Sequence, residues 1–131
     1  MKKLIFLLIL LPTVAFSQDN LKKSAEDFVA SYFKLWEDKK WDDILNSLSE
    51  DGQIIWPNHF VESLNVSMKS VVERNKSEMT SDKVDIKWIS ADVMGPTSAM
   101  VTASYLETTD RSGNVRMTDN LDVYLLDIQH S

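Results

Sequence analysis

The stretch that most constrains this chain is its C-terminal third, where two long runs alternate in polarity around one turn. Ala99 to Thr108 puts Ala99, Val101, Ala103 and Tyr105 on one face and Met100, Thr102, Ser104 and Leu106 on the other. Val115 to Leu126 puts Met117, Leu121, Val123 and Leu125 on one face, and Arg116, Thr118, Asn120, Asp122 and Tyr124 on a polar one. Side chains alternate across a strand with period two, so both runs are expected to be strands. Between them, Thr109-Asp-Arg-Ser-Gly-Asn114 has the composition of a hairpin loop. Both faces of the first run are fairly apolar, which fits a sheet covered on one side and curled around something on the other. Upstream, Val84, Ile86 and Trp88 alternate, and then Ile89, Ala91 and Val93 alternate on the other parity. A phase change of one residue near Trp88 is what a β-bulge produces, and a bulge bends a strand. Gly95-Pro96-Thr97 is expected to turn the chain.

The N-terminal half follows a helical period instead. Ser24 with Asp27 three residues on gives a start of capping-box type. Ala25, Phe28, Val29, Tyr32, Leu35 and Trp36 then recur at steps of three and four, as on an amphipathic helix. Glu37-Asp-Lys-Lys40 is a solvated corner. Trp41, Ile44, Leu45 and Leu48 share the face of a second, short helix, and Ser49 to Gly52 is a turn. Gln53 to Trp56 is expected to be a short strand that Pro57 stops, because proline cannot donate to a ladder. From about Ser63 to Met79 the helical spacing returns, with Leu64, Met68, Val71, Val72 and Asn75 on one face, and Thr80-Ser-Asp82 closes it. Helix, short helix, short strand, helix and then long antiparallel strands is an α+β plan.

The first 17 residues have the features of a removable export signal. Lys2 and Lys3 form its charged start, Leu4 to Leu11 its apolar run, and Ala15 and Ser17 the small residues before cleavage. A run of eight is too short to span a bilayer, which needs about 20 residues. The chain is therefore expected to be exported, periplasmic or secreted, in a bacterium. Removing 17 of the 131 residues leaves 114, a size for one domain over 18–131. Without Lys2 and Lys3 the mature chain has 12 basic and 20 acidic residues, a charge of −8. That balance argues against a nucleic-acid surface and against anionic lipid, so neither nucleic acid nor membrane is an expected partner after cleavage. The absence of Cys removes disulfides, thiolate metal sites and cysteine nucleophiles.

Three segments give the order of elements a family resemblance: Ala25-Glu-Asp-Phe-Val-Ala-Ser-Tyr-Phe-Lys-Leu-Trp36, Trp41-Asp-Asp-Ile-Leu45, and Glu50-Asp-Gly-Gln-Ile-Ile-Trp-Pro57. Together they resemble the opening of the nuclear transport factor 2-like superfamily, in its SnoaL-like branch of small, often exported bacterial proteins. The resemblance runs from about Ser24 to Leu126. It implies a curved antiparallel sheet packed against about three N-terminal helices, cone-shaped with an apolar pocket, and a homodimer paired through the sheet. Family members finish with another strand after a short turn. Here the sequence ends at Asp127-Ile-Gln-His-Ser131, where that turn would begin, so the expectation is that either the last strand is missing or the fold closes differently.

The resemblance also implies that carboxylates, tyrosine and histidine project from the sheet into the cone in the isomerase and dehydratase members. The matching candidates for proton transfer are His59, Tyr105 and Asp122, with Asp119 beside the last. The competing readings are a surface-loop role for His59, and a solvated or dimer-facing surface for the strand face that Asp122 shares with Arg116, Thr118 and Asn120. His130 lies at the chain end. The pocket candidates are Tyr32, Trp36, Trp56 and Trp88, while the spacing of Trp41 makes it a core residue. Two distant His and no Cys offer no metal site, and three scattered Gly offer no phosphate loop, so no metal or cofactor is expected. The functions in play are binding of a small apolar ligand without catalysis, a ketosteroid isomerase-like or dehydratase-like enzyme, and a dimerisation or protein-interaction module. If the export reading holds, intact-mass measurement on protein recovered from a bacterial periplasm finds Gln18 as the first residue. A chain still starting at Met1 contradicts it.

Overall fold

The computed structural model describes residues 2–55 and 60–127, with the backbone alone for 2–17. The expected strand end at Trp56 and Pro57, and the candidates Trp56, His59 and His130, lie outside the described residues. In chain order the elements are α1 (Lys2–Glu37), α2 (Trp41–Asn46), β1 (Gln53–Ile55), β2 (Val61–Ser63), α3 (Leu64–Glu78), β3 (Met79–Val93), β4 (Ser98–Arg111) and β5 (Asn114–Asp127).

The first helix is longer than its spacing suggests. It does not begin at Ser24, because the segment before it is also helical and no glycine occurs before Gly52 to interrupt it. Its buried stripe is Ala25, Val29 and Phe33, at steps of four, and this stripe leaves Phe28 exposed, contrary to expectation. The helix ends in a Schellman motif. Lys39 takes a left-handed φ of 55°, the Lys40 N–H reaches the Leu35 carbonyl at 2.9 Å, and the Lys39 N–H reaches that of Trp36 at 3.2 Å.

At Gly52 the chain passes so close to α3 that a Cβ would lie 2.6 Å from Leu64 Cδ2, while the Leu64 N–H donates to the Gly52 carbonyl at 2.8 Å. The short strand β1 pairs antiparallel with β2, Ile54 opposite Glu62. Sequence periodicity did not reveal β2, since three residues are too few to show an alternation. Nor is Thr80-Ser-Asp82 a turn. The Met79 N–H still closes the helix on Asn75, and Met79 itself is already extended, so β3 starts with no loop between.

The three long strands form one sheet in the order β3-β4-β5. Their links are too short for crossovers, so the strands are antiparallel, and the sheet does not close into a barrel. The β4–β5 loop is shorter than expected: only Ser112 and Gly113 stand outside the strands. Both have positive φ, 55° and 88°, as a type I′ turn requires. Asp110 Oδ1 accepts the Gly113 N–H at 2.8 Å. In β3 the inward side is Asp82 and Val84, then Ile89, Ala91 and Val93, with four successive exposed residues between. That is the expected phase change.

Residue contacts gather into two units. The first comprises Met1–Ser31, Ile86–Tyr105 and Asn120–Ser131. Its buried residues are Ala25 and Val29 of α1, Ala91 of β3, and Ala99, Val101, Ala103 and Tyr105 of β4. Glu26 of α1 accepts the Ala91 N–H at 3.1 Å. The second comprises Tyr32–Asp85 and Leu106–Asp119, with Phe33, Ile44, Met68, Val72 and Met79 buried. There Glu37 accepts the Val84 N–H at 3.3 Å. Ile44 has no exposed surface, and its truncation to Ala is expected to lower unfolding free energy by about 2–5 kcal/mol in urea denaturation. Val66→Ala, on the exposed side of α3, should change it by no more than about 0.5 kcal/mol. Equal effects at the two positions would contradict this assignment of the core.

Candidate functional site

On the inward face of β4 a tyrosine follows three small residues. Ala99, Val101 and Ala103 are small and buried, and Tyr105, next on the same face, is 7% exposed. Its hydroxyl donates to Asp122 Oδ2 on β5 at 2.6 Å. The Tyr124 hydroxyl donates to the same oxygen at 2.9 Å. Two O–H donors on one carboxylate oxygen fix its direction. Asp122 Oδ1 accepts no hydrogen bond from any described residue. The arrangement is a half-buried carboxylate clamped through one oxygen and available through the other. Such a group can accept a hydrogen bond from a ligand, or a proton from a reacting one.

This cluster depends on how β5 is turned. Asn120, Asp122 and Tyr124 face inward and are half-buried, while Leu121, Val123 and Leu125 are 65%, 58% and 78% exposed. The solvated surface expected of the polar face is therefore corrected: from Asn120 to Tyr124 it is the inner side. The reason is pairing. Tyr105 and Asp122 meet only if β5 offers that side to the face on which β4 buries its alanines.

The sequence candidates separate accordingly. Tyr105 and Asp122 come together, Asp119 is exposed on β5, and His59 lies outside the described residues. The aromatic candidates of α1 pack on one another. Tyr32 and Trp36 meet edge-to-face at 6.3 Å between ring centroids, and Trp36 and Trp41 at 5.9 Å. Trp88 is 49% exposed on β3. A cleft of about 290 Å³ is lined by Lys39, Lys40, Trp41, Asp42, Asp43 and Lys76, a charged rather than an apolar surround. Among the described residues, no three His, Asp or Glu side chains come together to hold a metal ion.

Two residues were not among the sequence candidates. Alternation places Tyr124 on the same strand face as Asp122, but that shared parity is its only signal. Asp82 looked like part of a turn. It is buried in the second unit, and neither of its carboxylate oxygens has a hydrogen-bond partner. Burial, followed by the neighbouring Glu37 carboxylate, raises its pKa from 3.8 to about 6, against the opposing pull of the Lys83 N–H and of Arg111.

No protein-family model and no curated protein matches the sequence. Solved structures do match. The β subunit of benzoate 1,2-dioxygenase from Burkholderia mallei aligns over 81% of this chain and 79% of its own, with a TM-score of 0.66 and 15% identity. A candidate scytalone dehydratase from Novosphingobium aromaticivorans aligns over 79% and 69%, with a TM-score of 0.65 and 14% identity. A nuclear transport factor 2-like protein of unknown function from Exiguobacterium aligns over 76% and 95%, with a TM-score of 0.56 and 16% identity. At such identities the likeness is one of architecture. N-terminal helices packed on a three-stranded antiparallel sheet, together with a small second sheet, make the fold of this chain α+β and nuclear transport factor 2-like.

Proposed function

We propose that this chain, acting after export, binds a small, largely apolar molecule that carries one hydrogen-bond donor, with Asp122 Oδ1 as the polar anchor. The observation that carries the reading is the double clamp of Tyr105 and Tyr124 on Asp122 Oδ2. It holds the carboxylate in one orientation before any ligand arrives, which lowers the ordering cost of binding. A ligand donor meeting an ionised acceptor forms a charge-assisted bond, about twice as strong as a neutral one.

The same carboxylate supports a second reading as a proton acceptor, in the manner of a dehydratase or isomerase, with His59, Tyr105 and Asp122 as the groups that move protons. The fold neighbour from Novosphingobium is a candidate enzyme of that kind. A third expectation, homodimerisation, draws support from the exposed Leu121, Val123 and Leu125 on the opposite side of β5, since contiguous apolar surface marks association sites.

Calorimetric titration with 2-naphthol and its methyl ether tests the binding reading. Wild type should prefer the naphthol, and Asp122→Asn should weaken its binding about tenfold while leaving the ether unchanged. Equal affinities for naphthol and ether in wild type would contradict the anchor. For the dimer, sedimentation should show Leu125→Lys shifting the chain towards monomer. A wild-type chain that is monomeric at high concentration removes that reading.

A further inference from the structure

Asp82 plays no part in the site on β5. It belongs to the second unit, on the inward side of β3, and both its oxygens are shut off from solvent without a well-formed hydrogen bond, the Lys83 N–H pulling on them only partly. A buried carboxylate in that state is costly when charged. Oxygens with no accessible surface leave no room for a water or an ion, so a proton, which removes the charge, is what lowers that cost.

The surroundings give that proton a consequence. On α1, Glu37 lies near enough to repel a charge on Asp82, and Glu37 Oε2 is the acceptor for the Val84 N–H, two residues along the same strand. On β4, the Arg111 guanidinium attracts Asp82 but lies 3.6 Å from Glu78 of α3, which also pairs with Arg74 at 3.3 Å. On β3 itself, Lys83 directs its ammonium to Asp85 at 3.4 Å. Lys39, beyond the end of α1, is held by the Thr80 carbonyl. The nearby cations are thus engaged elsewhere, and Glu37, half-buried and bonded to the same strand, is the charge that opposes an ionised Asp82.

We infer that Asp82 is a proton-operated latch on the edge of β3: protonated, it lets Glu37 hold the Val84 N–H, and ionised, it drives Glu37 away and frees that edge. The direction follows from which form the fold favours. The folded chain holds the Asp82 proton more tightly than the unfolded chain, so the latch is closed at low pH and opens as pH rises through about 6.

Amide spectra of the full chain between about pH 4.5 and 8 test this. The Val84 amide should shift with a midpoint near 6. Its exchange protection, corrected for the intrinsic rate, should fall about tenfold across that midpoint. The Ala91 amide, held by Glu26, should stay still. In Asp82→Asn the Val84 amide should not titrate. Should that variant fail to fold, Glu37→Gln keeps an acceptor for Val84 without the repelling charge and should also abolish the titration. A Val84 amide that is flat in wild type, that titrates equally in the variants, or that moves together with Ala91 overturns the latch. So does titration of the Arg111 guanidinium with Val84 unmoved, which would mean that Arg111 takes the charge.

Discussion

A three-stranded sheet has two edges, and the fold of this chain turns on how one of them is met. The N–H groups of an edge strand face solvent or another strand unless something accepts them. Along β3, α1 supplies two such acceptors, Glu26 for Ala91 and Glu37 for Val84. These are backbone-to-carboxylate bonds, stronger than neutral ones and specific in register. They tie helix to strand where the buried side chains are small: in the first unit Ala25, Ala91, Ala99 and Ala103 offer little apolar area each. The Schellman turn at Lys39 then ends α1 immediately after Glu37, so the second of these carboxylates sits in the helix's last turn.

The inner side of the sheet is where polar chemistry collects. A tyrosine closes the row of alanines on β4, and β5 answers it with Asp122 and Tyr124. A buried polar cluster stabilises only when its members satisfy one another. Here the phenols are satisfied and the carboxylate is satisfied on one side only. That asymmetry leaves Asp122 Oδ1 to water or to a donor from outside the cluster. The leucines and valine facing out from β5 are the counterpart. Putting the polar residues inward leaves the apolar ones on the surface, which is costly for a lone molecule and less so for an associated one.

Much of the architecture was legible in the sequence. Strict alternation at Ala99–Tyr105 and Leu121–Leu125, and Ser-Gly in the intervening turn, mark the hairpin, while the stripe of Met68, Val72 and Asn75 marks α3. Periodicity says that β5 has two faces and which residues share each. It does not say which face is inward, and hydrophobicity pointed the wrong way, because the pairing of Tyr105 with Asp122 outweighs it locally. Element ends were poorly legible for a related reason. Ser24 has the chemistry of a cap but stands within a longer helical run, and Thr80-Ser-Asp82 has the chemistry of a turn but continues a strand that α3 feeds directly. Of the site, Tyr105 and Asp122 were found through a resemblance, whereas Asp82 was hidden because burial is a property of the folded chain and leaves no local mark.

The account stands or falls on which side of the sheet meets a ligand. Carbon- and nitrogen-detected shift mapping during titration with 2-naphthol reads this directly. The account predicts that the Asp122 carboxyl carbon and the rings of Tyr105 and Tyr124 move most, and that the methyls of Leu121, Val123 and Leu125 move little. Shifts concentrated on those three methyls, with the Asp122 carboxyl unmoved, would contradict it.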